Sequence, residues 1–312
     1  MMRIVFMGTP EYAAASLKAL IGAGYEVAGV FTQPDKPRGR GGKVIAPPVK
    51  QLAESHGIPV FQPRRIRQDG VDDLRRLAPD LCVTAAYGQI LSQEILDIPP
   101  LGTVNVHASL LPQYRGSSPV HWAILSGEEK TGITTMMTDA GIDTGDILMQ
   151  AETDIKPGET AGELTCRLAD IGAELLIKTI RALEAGNCPR RKQDESRMSY
   201  FPLLSRELGA IDWRETARQI VNRIHGLNPW PSAYSPSPWG QLKFHRAEET
   251  EGSGQPGQIL MAGPKEGLVI AAGEGAVRVL SLQAPGGRAM AATDYLRGHP
   301  LPPGAETMNG EA

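Results

Sequence analysis

Residues 3–31 read RIVFMGTPEYAAASLKALIGAGYEVAGVF, and this stretch decides the fold. An apolar run at 3–7 ends at a Gly-Thr-Pro turn and is followed by a segment whose apolar residues have helical spacing. Gly22 and Gly24 end that segment, and a second apolar run covers residues 27–31. The order strand, helix, strand is typical of a βαβ unit, which predicts a parallel sheet covered by helices.

The alternation of strands and helices continues to about residue 187. Apolar periodicity predicts helices at residues 48–56, 119–125 and 160–183. Further apolar runs predict strands at residues 80–86, 102–106, 133–138 and 147–155. We therefore expect an α/β fold in which residues 1–187 form a Rossmann-like domain built on a parallel sheet.

The sequence changes character near residue 187. Residues 188–206 are rich in charged side chains and lack apolar periodicity, so we expect a linker there. One helix is predicted at 213–226, and it is followed by short alternating segments at 241–245, 258–261, 268–271 and 276–282. Such segments are typical of small barrels, and we expect residues 207–312 to form a C-terminal β-barrel domain of the OB-like type.

The composition excludes several classes of protein. Of 312 residues, 41% are hydrophobic and 21% are charged, which is the balance of a globular protein, and the formal net charge is −3. No apolar run approaches the roughly 18 residues of a membrane helix, and the first run is too short for a signal peptide. Cys82, Cys166 and Cys188 are far apart and odd in number, which argues against disulfides and zinc sites. We expect a cytoplasmic protein with no membrane segment and no metal site.

The strongest chemical motif is NVHASLLP at residues 105–112, followed by Tyr-Arg-Gly at 114–116. Asn105 and His107 are two residues apart at the end of a predicted strand, so their side chains lie on the same face of it. Ligands bind at the carboxyl ends of strands in open α/β sheets. An amide can donate to a developing oxyanion and an imidazole can move a proton near neutral pH. The alternative is a core histidine with an amide that caps a turn.

A second motif, DAGIDTGD at residues 139–146, lies between two predicted strands. It could be a hairpin turn that uses Asp and Gly for conformational reasons alone. In the functional interpretation one carboxylate lies beside His107 and stabilises its charged ring. Aspartate, histidine and asparagine together suit the transfer of an acyl-type carbon. The GxSxG motif of a serine nucleophile is absent from the sequence.

These motifs resemble those of the folate-dependent formyltransferases. The similarity rests on NVHASLLP, on DAGIDTGDI, on residues 86–91 (AYGQIL) and on residues 6–10 (FMGTP), and it extends from about residue 3 to about residue 298. The resemblance implies that 10-formyltetrahydrofolate is the donor co-substrate. Two further segments, TQPDKPRGRG at residues 32–41 and NPWP at residues 228–231, resemble those of the family members that act on initiator tRNA. The resemblance therefore implies that the acceptor is the α-amine of methionine on initiator tRNA.

The resemblance also implies roles for individual residues. Asn105 is expected to hold the oxyanion, His107 to move protons, and Asp143 to keep His107 charged and oriented. The expected folate-binding residues are Tyr87, Gly88, Gln89, Ile90, Leu91, Ser109, Leu110, Leu111 and Pro112. No metal is needed for this chemistry, and no protein partner is implied.

A basic loop is the candidate tRNA contact. Residues 34–50 contain five cationic side chains and one carboxylate, a net charge of +4. The resemblance implies that this loop reaches the tRNA acceptor stem, and the expected contacts are Lys36, Arg38, Arg40 and Lys43. The alternative is an ordinary solvated surface loop. Residues 207–312 carry a net charge of −2, which suggests a modest contribution of that domain to RNA binding.

Three competing functions remain to be separated from formyl transfer to tRNA. An NAD(P)-dependent dehydrogenase is disfavoured because the first turn has a single glycine, Gly8, and no GxGxxG fingerprint. A non-enzymatic RNA-binding module is disfavoured because it would not need the combination of Asn105, His107 and Asp143. A formyltransferase acting on an amino-sugar nucleotide is the nearest alternative, and an assay with both acceptors distinguishes the two.

Overall fold

The computed structural model describes residues 2–38, 43–301 and 307–308. The chain forms two compact units. Unit 1 comprises residues 1–116, 131–153 and 165–201, and unit 2 comprises residues 117–130, 154–164 and 202–312.

The strands of unit 1 follow from its apolar runs. In chain order they are β1 (Arg3–Gly8), β2 (Glu26–Phe31), β3 (Lys36–Arg38), β4 (Lys43–Ile45), β5 (Val60–Phe61), β6 (Leu81–Ala85), β7 (Thr103–His107), β8 (Arg115–Gly116), β9 (Lys130–Met137), β10 (Ile147–Asp154) and β11 (Tyr200–Phe201). The ends of β9 and β10 extend one residue into unit 2. The central sheet has the strand order β10-β9-β7-β6-β1-β2-β5.

Most of this sheet is parallel. The pairs β1–β2, β1–β6, β2–β5 and β6–β7 are parallel, whereas β9 runs antiparallel to β7. All five residues of β6 are buried, as expected of a central strand with both faces covered. The observed sheet confirms the predicted Rossmann-like α/β class, and it places the carboxyl ends of β6 and β7 side by side.

Helices connect these strands where the sequence has helical periodicity. They are α1 (Glu11–Gly22), α2 (Pro48–Ser55), α3 (Ile66–Asp69), α4 (Val71–Leu77), α5 (Gln93–Leu96), α6 (Pro119–Leu125) and α7 (Ala161–Glu184). The helix α6 belongs to unit 2, and α7 begins in unit 2 and continues in unit 1. The buried side chains of α1 include Leu17 and Leu20, which lie on the apolar face that the sequence predicts.

Unit 2 contains an antiparallel sheet and the remaining helices. Its elements are α8 (Ala217–Gly226), β12 (Ala233–Ser235), β13 (Leu242–Thr250), β14 (Ile259–Gly263), β15 (Gly267–Ala271), β16 (Ala276–Gln283), β17 (Met290–Ala291) and α9 (Ala292–Gly298). The strand order is β12-β13-β16-β15-β14, with β17 paired to β16. Trp213 and Phe244 meet edge to face in its core, with ring centroids 6.1 Å apart. This arrangement confirms the expected small β-barrel class of the C-terminal part.

The helix predicted at 213–226 begins later than the sequence suggests. It starts at Ala217, because Thr216 caps it: the side chain of Thr216 accepts from the N–H of Gln219, and the side chain of Gln219 accepts from the N–H of Thr216. This capping box satisfies backbone donors that would otherwise be unpaired at the first turn.

Residues 188–201, which the sequence assigns to a linker, belong to unit 1 and pair with other segments of it. Arg191 forms an antiparallel bridge with Ile147, and β11 pairs in parallel with β8. The ring of Phe201 stacks on Tyr114 with centroids 4.9 Å apart. Local periodicity does not reveal these partners, because they lie far away in the sequence.

Candidate active site

The candidate site lies at the carboxyl ends of β6 and β7 in unit 1. Asn105 and His107 occupy alternate positions of β7, so both side chains leave the same face of the strand. Thr84 of β6 is the register partner of Asn105. The sequence prediction of a shared face is therefore consistent with the observed strand.

Each ring nitrogen of His107 faces an oxygen atom. Its side chain is buried, and Nε2 lies 2.9 Å from the carbonyl oxygen of Tyr114. A carbonyl oxygen only accepts, so this contact assigns a proton to Nε2. The other nitrogen, Nδ1, lies 3.6 Å from Oδ1 of Asp143. Nδ1 is therefore the ring atom that can gain or lose a proton during a reaction.

Asp143 has a constrained backbone. Its φ is +54°, in the left-handed region that non-glycine residues seldom adopt. Its Oδ2 accepts a hydrogen bond of 2.9 Å from the N–H of Gly116, and Oδ1 faces His107. Gly145 closes the loop against β9: a Cβ there would lie 1.7 Å from the carbonyl oxygen of Met137, so this close approach requires glycine. The loop thus fixes one carboxylate beside the histidine.

The amide of Asn105 is oriented by a neighbouring strand. The hydroxyl of Thr84 donates to Oδ1 of Asn105 over 3.0 Å. Within the described part of the chain, the amide nitrogen of Asn105 has no hydrogen-bond partner. Its two N–H groups are therefore free to donate to a substrate, which is the role that an oxyanion donor needs.

The loop at residues 109–112 is shaped by internal hydrogen bonds. The hydroxyl of the buried Ser109 donates to the carbonyl oxygen of Gln113 over 2.7 Å, so that side chain serves the loop itself. The N–H of Leu111 donates to Thr134, whose hydroxyl in turn donates to the carbonyl oxygen of Ser109. Leu111 is buried, while Leu110 and Pro112 are partly exposed.

The loop at residues 87–91 is also fixed from within unit 1. The carbonyl oxygen of Tyr87 accepts hydrogen bonds from the side chains of Thr9 and Gln33, both 3.1 Å long. The side-chain amide of Gln89 accepts from the N–H of Ile66 and donates to the carbonyl oxygen of Pro63.

The members of that loop differ in exposure. Ile90 is 70% exposed, whereas Leu91 and the ring of Tyr87 are buried. The Tyr87 hydroxyl is buried and has no partner among the described residues, and burial raises its pKa. Gly88 has φ +81°, which lets the chain turn between the buried residues and the exposed tip.

The candidate tRNA loop forms a β-hairpin. The strands β3 and β4 pair antiparallel, with Lys36 opposite Ile45. Arg40 lies outside the described residues, and the backbones of Arg38 and Lys43 form the last described pair of the hairpin. Lys36 is exposed and forms no ion pair with the part of the chain that the structure describes.

One cation of the basic loop is already neutralised. The ammonium group of Lys50 lies 2.8 and 3.1 Å from the two carboxylate oxygens of Asp35 and also donates to Gln62. The hydrogen bond from Lys50, supported by one from Gln62, lowers the pKa of Asp35 below its usual value. Among the described side chains of the loop, Lys36 is therefore the cation that keeps its charge unpaired.

The sequence did not point to two residues that border the site. Thr84 orients Asn105, and the only sequence signal for it is its position at the end of a buried strand. Gln193 donates to the carbonyl oxygens of Asp143 and Gly145, although it lies in the predicted linker. These contacts connect residues 21 positions apart for Thr84 and 48 to 50 positions apart for Gln193, so they leave no local pattern.

The described residues contain no group of three or more His, Cys, Asp or Glu side chains that could hold a metal ion. Among the same residues, no helix has the length and apolar character needed to cross a membrane.

Two protein-family models match the chain. The model described as formyl transferase matches residues 2–180, and the model described as formyl transferase, C-terminal domain, matches residues 203–300. Both candidate catalytic motifs fall within the first of these matches.

Curated relatives are similar over almost the whole chain. A methionyl-tRNA formyltransferase of Geobacter sulfurreducens is 47% identical over 312 residues, which cover 100% of this chain and 98% of the relative. A methionyl-tRNA formyltransferase of Symbiobacterium thermophilum is 49% identical over 302 residues, covering 96% of this chain and 93% of the relative.

Solved structures share the fold at lower identity. The N-formyltransferase from Helicobacter canadensis, in complex with folinic acid and dTDP-3-aminofucose, has a TM-score of 0.68 and 20% sequence identity. The match covers 89% of this chain and 99% of that chain. The folate derivative and the amino-sugar nucleotide are ligands of that protein.

Proposed function

This chain belongs to the formyltransferase family, and on that premise we propose that it transfers the formyl group of 10-formyltetrahydrofolate to the α-amine of methionine on initiator tRNA. The acceptor follows from the full-length similarity to curated methionyl-tRNA formyltransferases. The reaction would supply formylmethionyl-tRNA for translation initiation in the cytoplasm.

One structural observation carries the proposal. At the end of β7, the unpartnered amide nitrogen of Asn105 lies on the same strand face as His107, whose Nδ1 faces the carboxylate of Asp143. An amide donor, a proton carrier and an orienting carboxylate are the groups that acyl transfer to an amine requires.

The chemistry assigns one task to each side chain. The amine nitrogen attacks the formyl carbon, and Asn105 donates to the oxygen that becomes negative. Nδ1 of His107 takes a proton from the attacking amine. It then donates this proton to the folate nitrogen as the carbon–nitrogen bond to folate breaks. Asp143 stabilises the ring while it carries that proton. The products are formylmethionyl-tRNA, which contains the new carbon–nitrogen bond, and tetrahydrofolate, which has received the proton.

We assign folate binding to the two loops that border these residues, at 87–91 and 109–112. Both loops are held by hydrogen bonds from within unit 1, so they are organised before a ligand binds. The exposed Ile90 and the partly exposed Leu110 and Pro112 offer apolar surface to the pterin ring. Ser109 would act through loop shape, since its hydroxyl already donates to Gln113.

We propose that the basic hairpin binds the acceptor stem of the tRNA through Lys36, Arg38, Arg40 and Lys43. The net charge of +4 over residues 34–50 supports this assignment, because cationic side chains bind phosphates without reading sequence. The strand pairing of Lys36 with Ile45 gives the loop a fixed base.

The proposal is tested by comparing two acceptors. The purified protein is mixed with 10-formyltetrahydrofolate and either methionyl initiator tRNA or an amino-sugar nucleotide, and formylated product is quantified. We expect rapid formylation of the tRNA and none of the sugar. Formylation of the amino sugar in place of the tRNA would overturn the acceptor, and transfer to neither would overturn the proposed function.

A further inference from the structure

Gln193 is a buried residue of the segment between the two family-model matches. Its side chain is 9% exposed and uses both ends of the amide. Oε1 accepts from Nε and Nη2 of Arg115, over 3.0 and 2.8 Å. Nε2 donates to the carbonyl oxygens of Asp143 and Gly145, over 2.7 and 2.8 Å.

Only a side-chain amide can make this set of contacts. It has two N–H donors at one end and an oxygen acceptor at the other, whereas a carboxylate only accepts and an ammonium group only donates. The two carbonyl groups that Gln193 holds flank Thr144, so the amide fixes the backbone on both sides of that residue.

Asp143 needs such support because its backbone is strained. A non-glycine residue with φ of +54° persists only where its surroundings hold it there. Gln193 holds the main chain of Asp143, and the N–H of Gly116 holds its side chain through Oδ2. Loss of the first contact would let the loop relax and move the carboxylate away from His107.

The other end of the amide is anchored in the interior. Arg115 is 3% exposed, and its guanidinium lies 2.6 Å from the carboxylate of Glu195. Arg115 and Gly116 form β8, which β11 pairs with. The main-chain and the side-chain contacts of Asp143 therefore lead to the same short strand.

We infer that Gln193 is a positioning residue for the reaction: it sets the distance between the Asp143 carboxylate and Nδ1 of His107. This inference rests on the proposed function for its catalytic consequence. Gln193 does not touch the reacting atoms, and its effect is transmitted through Asp143.

Gln193→Glu tests the donation to the loop. Glutamate has the same length and keeps an acceptor for Arg115, so the anchoring side is retained. Its second oxygen would face the carbonyl oxygens of Asp143 and Gly145, where two attractive contacts become repulsive. Gln193→Met is the second variant, because it removes the donors without adding charge. Glu195→Gln is the matched control, since it changes the partner of Arg115 on the side away from the loop.

The kinetic result expected is a fall in kcat of about 10²-fold for Gln193→Glu, which is typical of a misplacement of about 1 Å in a catalytic group. Gln193→Met should lower kcat in the same direction, while KM for both substrates and the kcat of Glu195→Gln stay within about twofold. In the Asp143→Asn background, Gln193→Glu should have little further effect, because both changes act on one contact. Additive losses, or an unchanged kcat, would overturn the inference.

A readout independent of activity separates this inference from the proposed function. The N–H of Gly116 donates to the Asp143 carboxylate, so its hydrogen exchange reports where that carboxylate lies. We expect faster exchange at Gly116 in Gln193→Glu than in wild type or Glu195→Gln, whichever acceptor the enzyme uses. Unchanged exchange would overturn the positioning role, whereas failure of wild type to formylate tRNA would overturn only the proposed function.

Discussion

His107 and Asp143 face each other with 3.6 Å between Nδ1 and Oδ1, and Nε2 of the same ring lies 2.9 Å from the carbonyl oxygen of Tyr114. The carbonyl contact fixes the ring orientation and its tautomer, which leaves Nδ1 as the atom available for proton transfer. The geometry of the site therefore depends on the loop that contains Asp143.

The hydroxyl of Thr84 is expected to orient the oxyanion donor. Thr84→Val keeps the shape of the side chain but removes the donor to Asn105, so the amide of Asn105 can rotate. We expect kcat to fall roughly three- to tenfold, the size of one neutral hydrogen bond. Thr84→Ser keeps the hydroxyl and should retain wild-type turnover. Steady-state kinetics check both, and equal rates in the two variants would remove Thr84 from this role.

The hairpin is expected to bind the tRNA backbone. Arg40→Ala and Lys36→Ala should each weaken binding of charged tRNA and reduce the salt dependence of its Kd by about one phosphate contact. Folate affinity should stay the same. Lys18→Ala, at an exposed position of α1, is the control for loss of one positive charge. The Kd for charged tRNA is measured at salt concentrations between roughly 50 and 200 mM. If its salt dependence is the same in the hairpin variants and in wild type, the loop is an ordinary solvated surface.

Close packing between two helices of unit 2 predicts an effect on stability. A Cβ at Gly226 of α8 would lie 2.9 Å from Cγ of Leu125 in α6, and the backbone nitrogen of Leu125 is 3.1 Å away. Gly226→Ala should therefore destabilise the protein by about 1–3 kcal/mol through overpacking. Gly22→Ala is the matched control, because nothing lies within 4 Å of its added carbon. Urea unfolding should give unchanged or slightly higher stability for that variant, and equal effects would contradict the packing argument.

Buried histidines in unit 2 predict a loss of stability in mild acid. Burial lowers the pKa of His225, and its Nε2 accepts a hydrogen bond of 3.3 Å from the N–H of Ala247, which a protonated ring cannot do. In the unfolded state His225 has an ordinary pKa near 6.5, so below that pH the unfolded state binds more protons than the folded state. The free energy of unfolding therefore falls as the pH drops from about 6.5 toward the lowered pKa of the folded state. Burial also lowers the pKa of His121 and His245.

Urea unfolding between pH 7.5 and 5.5 measures this dependence. His225→Gln retains an acceptor for the N–H of Ala247 and removes the titrating group, so its stability should vary less with pH than that of wild type. An identical pH profile in the two proteins would show that His225 does not contribute.

Local patterns in the sequence were sufficient for the main elements. The strands β1 and β2 and the helix between them appear in residues 3–31 because apolar spacing and glycine turns are local signals. The shared face of Asn105 and His107 follows from strand alternation alone.

Contacts between distant segments were not predictable in this way. In the sequence, Arg115 is only a neighbour of the NVHASLLP motif and Glu195 only a part of the expected linker. Arg115 is buried because Glu195 and Gln193 pair with it from about 80 residues away. The antiparallel direction of β9 likewise depends on its pairing with β7 rather than on its own residues.

The rate of formyl transfer by Asp143→Asn tests the central claim most directly. Asparagine keeps an oxygen for the N–H of Gly116 but removes the charge that faces His107. We expect single-turnover transfer to methionyl-tRNA to fall roughly 10²–10³-fold, while tetrahydrofolate affinity stays within a few-fold. Asp139→Asn, an exposed carboxylate of the same loop that accepts from Gly141 and Thr144, should react at nearly the wild-type rate. A near wild-type rate for Asp143→Asn would contradict the assignment of this carboxylate to the catalytic set.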